Sequence, residues 1–113
     1  MGFLVHYARG VFGKKLKRFA ELMDVQYSDW DLTNAKKRAA SCSDQGKVNI
    51  SWRLIMASDF VIDGVIVHEL AHLRHLNHSK DFYAEIEKYL PDYTERRNLM
   101  AKEYFTLQCE GWL

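Results

Sequence analysis

Three histidines and one glutamate near the middle of the chain are the residues best suited to chemistry. His68 and His72 enclose Glu69 in the pattern His-Glu-x-x-His, and His78 follows shortly after. An α-helix places residues i and i+4 on one face, about 6 Å apart along its axis, so the first two imidazoles can reach one metal ion. Zinc with three protein ligands keeps a fourth position for water, as hydrolytic sites require. The spacing therefore predicts one zinc ion with a hydrolytic role.

The surroundings of Glu69 argue against a coincidental match. This carboxylate stands between Val67 and Leu70 in the most apolar part of the chain, where an ionised group is costly unless it has a partner or a task. Four of the five histidines fall between positions 68 and 78. Glu69 is therefore expected to act as the general base, which takes a proton from water and passes it to the leaving amine.

The candidates for the third zinc ligand are His78 and Glu85, whereas His75 fits poorly because of helix geometry. His75 lies on the same helical face as the first two histidines, but a straight helix spreads those three rings over about 10.5 Å, whereas Zn–N bonds are about 2.0–2.1 Å. His78 lies beyond Asn77, which is expected to end the helix in a left-handed conformation and let the chain turn back. Glu85 in the next helix is the alternative, because His₂Glu zinc sites exist. The pattern favours His78.

Two further parts of a hydrolytic site stay open at this stage. The alternating strand at 48–56 either offers an edge to which a substrate peptide adds, or is simply a core strand. A donor that stabilises the transition state is also expected. Its candidates are His75, Tyr83, Tyr93, Arg53 and Arg74.

Length and composition set the frame for this site. The 113 residues predict a single domain, 1–113, with 48% hydrophobic and 27% charged residues, as in ordinary globular proteins. The net charge of +1 gives no general attraction to nucleic acid or membrane surfaces. The start of the chain has no signal-peptide pattern, and no apolar run is long enough for a transmembrane helix. A cytoplasmic protein with reduced Cys42 and Cys109 is expected.

The pattern of apolar residues predicts an α+β fold with an N-terminal helix, a small three-stranded and mainly antiparallel sheet, a central helix and two C-terminal helices. Ser58 and Ser79 are expected to cap helices, and Pro91 to end one. Helices are predicted at residues 11–25, 59–76, 80–90 and 92–107. Extended segments are predicted at residues 27–32, 39–43 and 48–56.

Half of the chain carries motifs of a known family. They lie between residues 41 and 97 and include Ser41-Cys42-Ser43, Asn49-Ile50-Ser51, Trp52-Arg53-Leu54-Ile55, Val67-His68-Glu69-Leu70-Ala71-His72-Leu73, Asn77-His78-Ser79 and Leu90-Pro91-Asp92-Tyr93. The chain thereby resembles the YgjP-like metallopeptidases, which are related to the SprT-like zincins. The resemblance implies a zincin-type fold, zinc held by His68, His72 and His78, Glu69 as the base, and a peptide or protein substrate.

The chain also departs from that family. Ala39-Ala40 stands where members usually have Trp-Gly before Ser-Cys-Ser, and the absence of the Trp removes a large packing side chain near the sheet. Members are commonly longer, with an N-terminal region that this chain lacks, and its size is similar to that of the single-domain minigluzincins. In those proteins a terminal segment can fill the cleft as a latent form. Here such a segment would use Cys109 or Glu110, unless the tail packs elsewhere through Trp112 and Leu113.

Two hypotheses follow from the sequence. The first is a zinc-dependent peptidase with a protein substrate. The second is a zinc-stabilised binding module with weak, latent or no cleavage activity, associated with protein or with DNA. The basic clusters at 14–18 and 36–38 are expected to be solvated surface rather than a phosphate-binding site, given the near-neutral charge. The presence of Glu69 favours the enzyme, since a binding module has no need of a base at that position.

Overall fold

The chain folds as one long helix, three short strands and three further helices, and the computed structural model describes residues 2–103. This is the predicted α+β order. The helices are α1 (Gly2–Met23), α2 (Asp59–Ala71), α3 (Lys80–Tyr89) and α4 (Tyr93–Glu103). The strands are β1 (Asp29–Thr33), β2 (Ala40–Cys42) and β3 (Lys47–Ser51), and a 3₁₀ helix covers Trp52–Met56.

Helix α1 begins nine residues earlier than its predicted start at residue 11. One apolar stripe is buried from the second turn of the helix to its end, consisting of Ala8, Phe12, Leu16, Phe19, Ala20 and Met23. The helix ends with Asp24 in the left-handed conformation, at φ 56°. The amides of Asp24 and Val25 bond back to the carbonyls of Glu21 and Ala20, the arrangement that closes many helix C-termini.

The sheet has the order β1-β3-β2, so β3 is its central strand. β2 pairs with β3 in antiparallel fashion, whereas β1 runs parallel to β3. The sheet is therefore mixed, and the expectation of mainly antiparallel pairing does not hold for β1. The turn between β2 and β3 has Gly46 at φ 87°, a backbone conformation that favours glycine. Ser43 stabilises this turn because its hydroxyl accepts from the amides of Gln45 and Lys47.

Strand β3 ends at Ser51, five residues before the predicted end at residue 56. The Ser51 side chain is fully buried, donates to the carbonyl of Ala35 at 2.7 Å and accepts from the amide of Arg53. A serine side chain that bonds to the backbone in this way competes with the strand ladder and caps a helical turn. The chain therefore coils into the 3₁₀ helix. The alternation of apolar residues continues past Ser51, which explains why it predicts a longer strand.

Helix α2 is the buried centre of the fold, as predicted, with ten of its thirteen residues buried. Ser58 caps it by accepting from the amide of Val61, which confirms that prediction. The helix ends at Ala71 rather than at residue 76. From His72 onward the amides bond three residues back, to Glu69, Leu70 and Ala71 in turn, so the last turn tightens.

The prediction that Asn77 is a left-handed stop is wrong. Asp24 is the one non-glycine residue with positive φ in the part of the chain that the structure describes. The chain turns instead through the tightened residues 72–74 and the bends that follow them. Ser79 then caps α3 by accepting from the amide of Phe82, which confirms its predicted role.

Helix α4 packs on α2 through Arg96. Its guanidinium lies 4.1 Å from the centre of the Phe60 ring, donates to the Phe60 carbonyl and pairs with Asp92. Gly64 allows this close approach, because a Cβ at that position would lie 3.1 Å from the Cβ of Arg96. The predicted end of this helix at residue 107 lies outside the described residues. Within residues 2–103, no helix has the length and hydropathy to cross a membrane.

Candidate metal centre

Three imidazoles converge where α2 ends. His68 lies in the last turn of α2 and is fully buried, His72 is the residue that closes the helix, and His78 lies in the loop before α3. One ligand atom from each ring lies within 4.8 Å of the other two. The Nε2 atoms of His72 and His78 are 3.1 Å apart. The three histidines selected from the sequence are therefore brought together.

The Nδ1 atoms of the two helical histidines have their own partners. His72 Nδ1 lies 3.1 Å from the carbonyl oxygen of His75, and His68 Nδ1 lies 2.7 Å from the hydroxyl of Tyr93. A ring whose Nδ1–H donates to a carbonyl or hydroxyl oxygen presents Nε2 as the electron-pair donor. Metal-binding histidines are typically oriented in this way. Both rings are consequently prepared to bind a cation through Nε2.

Phe82 forms the floor beneath all three rings. It is fully buried, and its ring centre lies 4.5 Å from that of His72 and 5.0 Å from those of His68 and His78. This buried apolar ring packs against the imidazoles, fixes their positions and keeps water away from the side that it covers. The sequence identifies Phe82 only as a member of the apolar stripe of α3. Its position could have indicated this contact, because Phe82 lies four residues after His78, in the first turn of α3, which Ser79 caps.

Glu69 lies next to the ligands and is only 2% exposed. At the end of β2, burial raises the pKa of the Cys42 thiol to about 11, and the charge of Glu69 adds a smaller contribution in the same direction. Cys42 is therefore a neutral thiol at physiological pH, and Glu69 is the acidic group that accompanies the three imidazoles. A buried carboxylate therefore lies beside the three imidazoles.

Glu85, the alternative third ligand, is directed elsewhere. Its Oε1 atom lies 3.4 Å from Nη1 of Arg74 and 3.6 Å from Nε2 of His75. Arg74 also donates to the carbonyl of Asp24 at 2.7 Å, so these residues join the end of α1 to α3. His75 contributes its backbone carbonyl to the orientation of His72. Glu85 and His75 thus do not join the three imidazoles, and they contact the segments that hold the cluster in position.

Comparisons with known proteins agree with this geometry. Residues 2–103 match the family described as YgjP-like, metallopeptidase domain. The chain belongs to the YgjP-like metallopeptidase family. It is accordingly a peptidase, a hydrolase of peptide bonds. Among curated protein sequences, none matches it significantly.

Two solved structures share the fold of this YgjP-like domain. One is the metallopeptidase zymogen abylysin of Pyrococcus abyssi, with a TM-score of 0.76 and 20% identity over 85% of this chain and 97% of that one. The other is the metallopeptidase zymogen jannalysin of Methanocaldococcus jannaschii, with a TM-score of 0.71 and 16% identity over 80% of this chain and 94% of that one. They confirm the predicted zincin-like α+β architecture.

The five candidate transition-state donors of the YgjP-like domain separate into two groups. Tyr83 and Tyr93 lie beside the cluster. The ring of Tyr83 is 6.4 Å from that of His78, and Tyr93 holds His68. His75 and Arg74 contact Glu85, as described above. Arg53 donates to the side chain of Asn34 at 3.1 Å and stacks over the Trp52 ring.

A cleft opens beside His72. It has a volume of about 260 Å³ and lies between the β2–β3 turn and the segment that follows α2. Its lining residues are Cys42, Ser43, Asp44, His72 and Leu76. The predicted tail contacts of Cys109, Glu110, Trp112 and Leu113 lie outside the described residues.

Proposed function

We propose that this YgjP-like domain is a zinc-dependent peptidase in which His68, His72 and His78 hold one zinc ion and Glu69 is the general base. The observation that carries this proposal is the convergence of three imidazole nitrogens within 4.8 Å beside a buried carboxylate. Three neutral imidazoles are a ligand set that suits zinc. A binding module without catalysis would gain nothing from the buried charge of Glu69.

The distances fit the size of a zinc site. Two ligands with Zn–N bonds of about 2.05 Å at a tetrahedral angle lie about 3.3 Å apart. The observed separation between the Nε2 atoms of His72 and His78 is 3.1 Å. All ligand atoms lie within 4.8 Å, so small ring rotations are enough to complete the site. Ligand set, spacing and orienting contacts all support zinc.

The chemistry divides between the metal and the protein. Bound zinc supplies a Lewis acid for the scissile carbonyl and lowers the pKa of water toward about 7. Glu69 accepts the proton of the attacking water at its carboxylate and later delivers it to the leaving amine. Tyr93 and the carbonyl of His75 hold the ligand rings in orientation, and Phe82 closes the site from below. Tyr83 is the side chain best placed to stabilise the developing negative charge.

The substrate peptide is expected at β2 rather than at β3. The strand at 48–56 was one candidate edge, but β3 is paired on both sides and has no edge to offer. β2 is an edge strand, and its last residue, Cys42, lines the cleft beside His72. A peptide that adds to β2 would pass beside His72.

The test of this proposal compares the wild type with Glu69→Gln. Metal content is measured together with cleavage of a denatured protein mixture. Glu69→Gln keeps the shape of the side chain and removes its basicity, so we expect the variant to retain one zinc per chain and to lose cleavage. Glu87→Gln is the matched control, since Glu87 is exposed on α3. It is expected to cleave like the wild type.

Other outcomes separate the alternatives. Equal cleavage by wild type and Glu69→Gln would contradict the role of Glu69. Absence of metal from both would contradict the site itself. Zinc without cleavage in either protein is the result expected of the second hypothesis, a zinc-stabilised binding module, or of a latent form such as those of the two structural neighbours, which were solved as zymogens.

A further inference from the structure

The cleft beside His72 is lined by that histidine and by four residues that do not belong to the three-histidine cluster. Its volume of about 260 Å³ is enough for one long side chain, and it opens at the end of the edge strand β2. A peptide bound along β2 would direct alternate side chains to the same side. A side chain next to the scissile bond would therefore meet this cleft.

Two of the cleft's walls are apolar. Leu76 is 78% exposed, which is high for a large hydrophobic residue beside an active site. Cys42, half-buried at the end of β2, carries a small thiol that packs as a weakly polar, largely apolar group. The stem of a long side chain can lie along these two residues.

The rim of the cleft carries one negative charge. Asp44 is exposed in the β2–β3 turn and lines the opening, and within residues 2–103 its carboxylate forms no ion pair. Ser43, the remaining lining residue of the turn, is uncharged. The cleft therefore places one anionic side chain close to two apolar ones, beside His72.

We propose that this cleft selects a lysine or arginine side chain in the substrate, at a residue adjacent to the scissile bond. Long basic side chains bury their aliphatic stems against apolar surface and keep the charged end in water. Here the stem lies along Leu76 and the cation meets the carboxylate of Asp44. This inference rests on the proposed function and adds a substrate preference to it.

A binding measurement tests the preference without requiring cleavage. Zinc-loaded Glu69→Gln protein is titrated with two peptides that differ only in lysine against norleucine, which has a similar stem and no charge. Dissociation constants are measured, and amide NMR signals of residues 42–44 are followed. An exposed ion pair corresponds to a factor of about 2–5. We expect the lysine peptide to bind more tightly by that factor and to shift these signals.

Two substitutions make the test specific. Asp44→Asn added to the same protein is expected to abolish the preference for the lysine peptide over the norleucine peptide. Asp44→Lys is expected to make a third peptide, with glutamate at that position, bind more tightly than the lysine peptide. Asp29→Asn is the matched control, since Asp29 is exposed in β1 at the opposite edge of the sheet, and it should keep the preference. Equal affinity for both peptides, no saturable binding of either, or the same loss with Asp29→Asn would overturn the proposal.

Cleavage profiles of a denatured protein mixture distinguish this inference from the proposed function. Wild-type cleavage enriched for lysine and arginine at one position flanking the bond, with the enrichment lost in Asp44→Asn, supports both. Cleavage without this enrichment overturns the inference and leaves the peptidase intact. A wild type that binds zinc and never cleaves contradicts the proposed function, while the peptide titration still decides what the cleft accepts.

Discussion

The Nε2 atoms of His72 and His78 lie 3.1 Å apart, although five residues and the end of a helix separate the two histidines in the chain. The tightened turn after Ala71 produces this approach, because it brings the chain around before α3 begins. Two imidazole nitrogens at this distance are at the spacing of neighbouring ligands of one zinc ion. On this relationship we propose His78, rather than Glu85 or His75, as the residue that completes the centre.

Substitution of His78 tests that assignment. His78→Ala is expected to lower zinc affinity more than about 100-fold, since loss of a direct ligand exceeds the 10–100-fold cost typical of an outer-shell change. His75→Ala is the matched control. It removes a neighbouring imidazole and leaves the backbone carbonyl that orients His72, so the change should stay below about tenfold. Competition with a chromophoric chelator measures both. A larger loss for His75→Ala would contradict the assignment.

Tyr93 is expected to act on the metal through His68. Tyr93→Phe removes the hydroxyl that lies 2.7 Å from His68 Nδ1 and should weaken zinc binding about 10–100-fold. It should also lower the free energy of unfolding by about 1–3 kcal/mol, because a buried polar atom loses its partner. Tyr89→Phe is the control, since Tyr89 lies on α3 with its ring beside Lys88. Unchanged zinc affinity in Tyr93→Phe would show that the hydroxyl does not orient the ligand.

The Cys42 thiol should react slowly until the pH is very high. Burial and the charge of Glu69 raise its pKa from 9.0 to about 11. In chelated protein, alkylation of the peptide that contains Cys42 should therefore rise toward a midpoint near pH 11. Between pH 9 and pH 11 the folded state keeps the thiol proton, whereas the unfolded chain releases it. The stabilisation is present below pH 9 and is lost as the pH rises toward 11. A midpoint near 9 would contradict the burial of Cys42 beside Glu69.

Ser51 should stabilise the fold by ending β3. Ser51→Ala leaves the part-buried carbonyl of Ala35 and the amide of Arg53 without this partner, at a cost of about 1–3 kcal/mol. Ser41→Ala in β2 is the comparison variant, because Ser41 is half-buried in the same sheet. Chemical denaturation of both proteins measures the difference. An equal and small effect of the two substitutions would show that the Ser51 bonds contribute little.

Local patterns predicted much of the fold, and contacts distant in sequence explain where those patterns failed. The buried helix α2 and the caps at Ser58 and Ser79 follow from apolar runs and capping residues close in the chain. The end of β3 does not, because it depends on a bond from Ser51 to a carbonyl sixteen residues earlier. The direction of β1 is likewise set by its pairing with β3, in which Asp29 lies opposite Lys47, eighteen positions later in the chain. The alternation of apolar and polar residues within a strand does not encode that direction.

The same distinction holds for the candidate site. The spacing of His68 and His72 predicted two ligands, because helix geometry fixes which residues share a face. The choice between His78 and Glu85 depended on where α2 ends, and helix ends are poorly encoded by periodicity. The roles of Phe82 and Tyr93 depend on packing between separate helices, and Tyr93 lies twenty-five residues from the histidine that it contacts.

The most direct test of the zinc centre is X-ray absorption at the zinc edge, combined with metal content of the purified wild-type protein. We predict one zinc per chain, with three imidazole nitrogens at about 2.0–2.1 Å and one oxygen. A sulfur ligand at about 2.3 Å would instead place Cys42 or Cys109 on the metal. That result, or the absence of zinc, would contradict a centre built from His68, His72 and His78 alone.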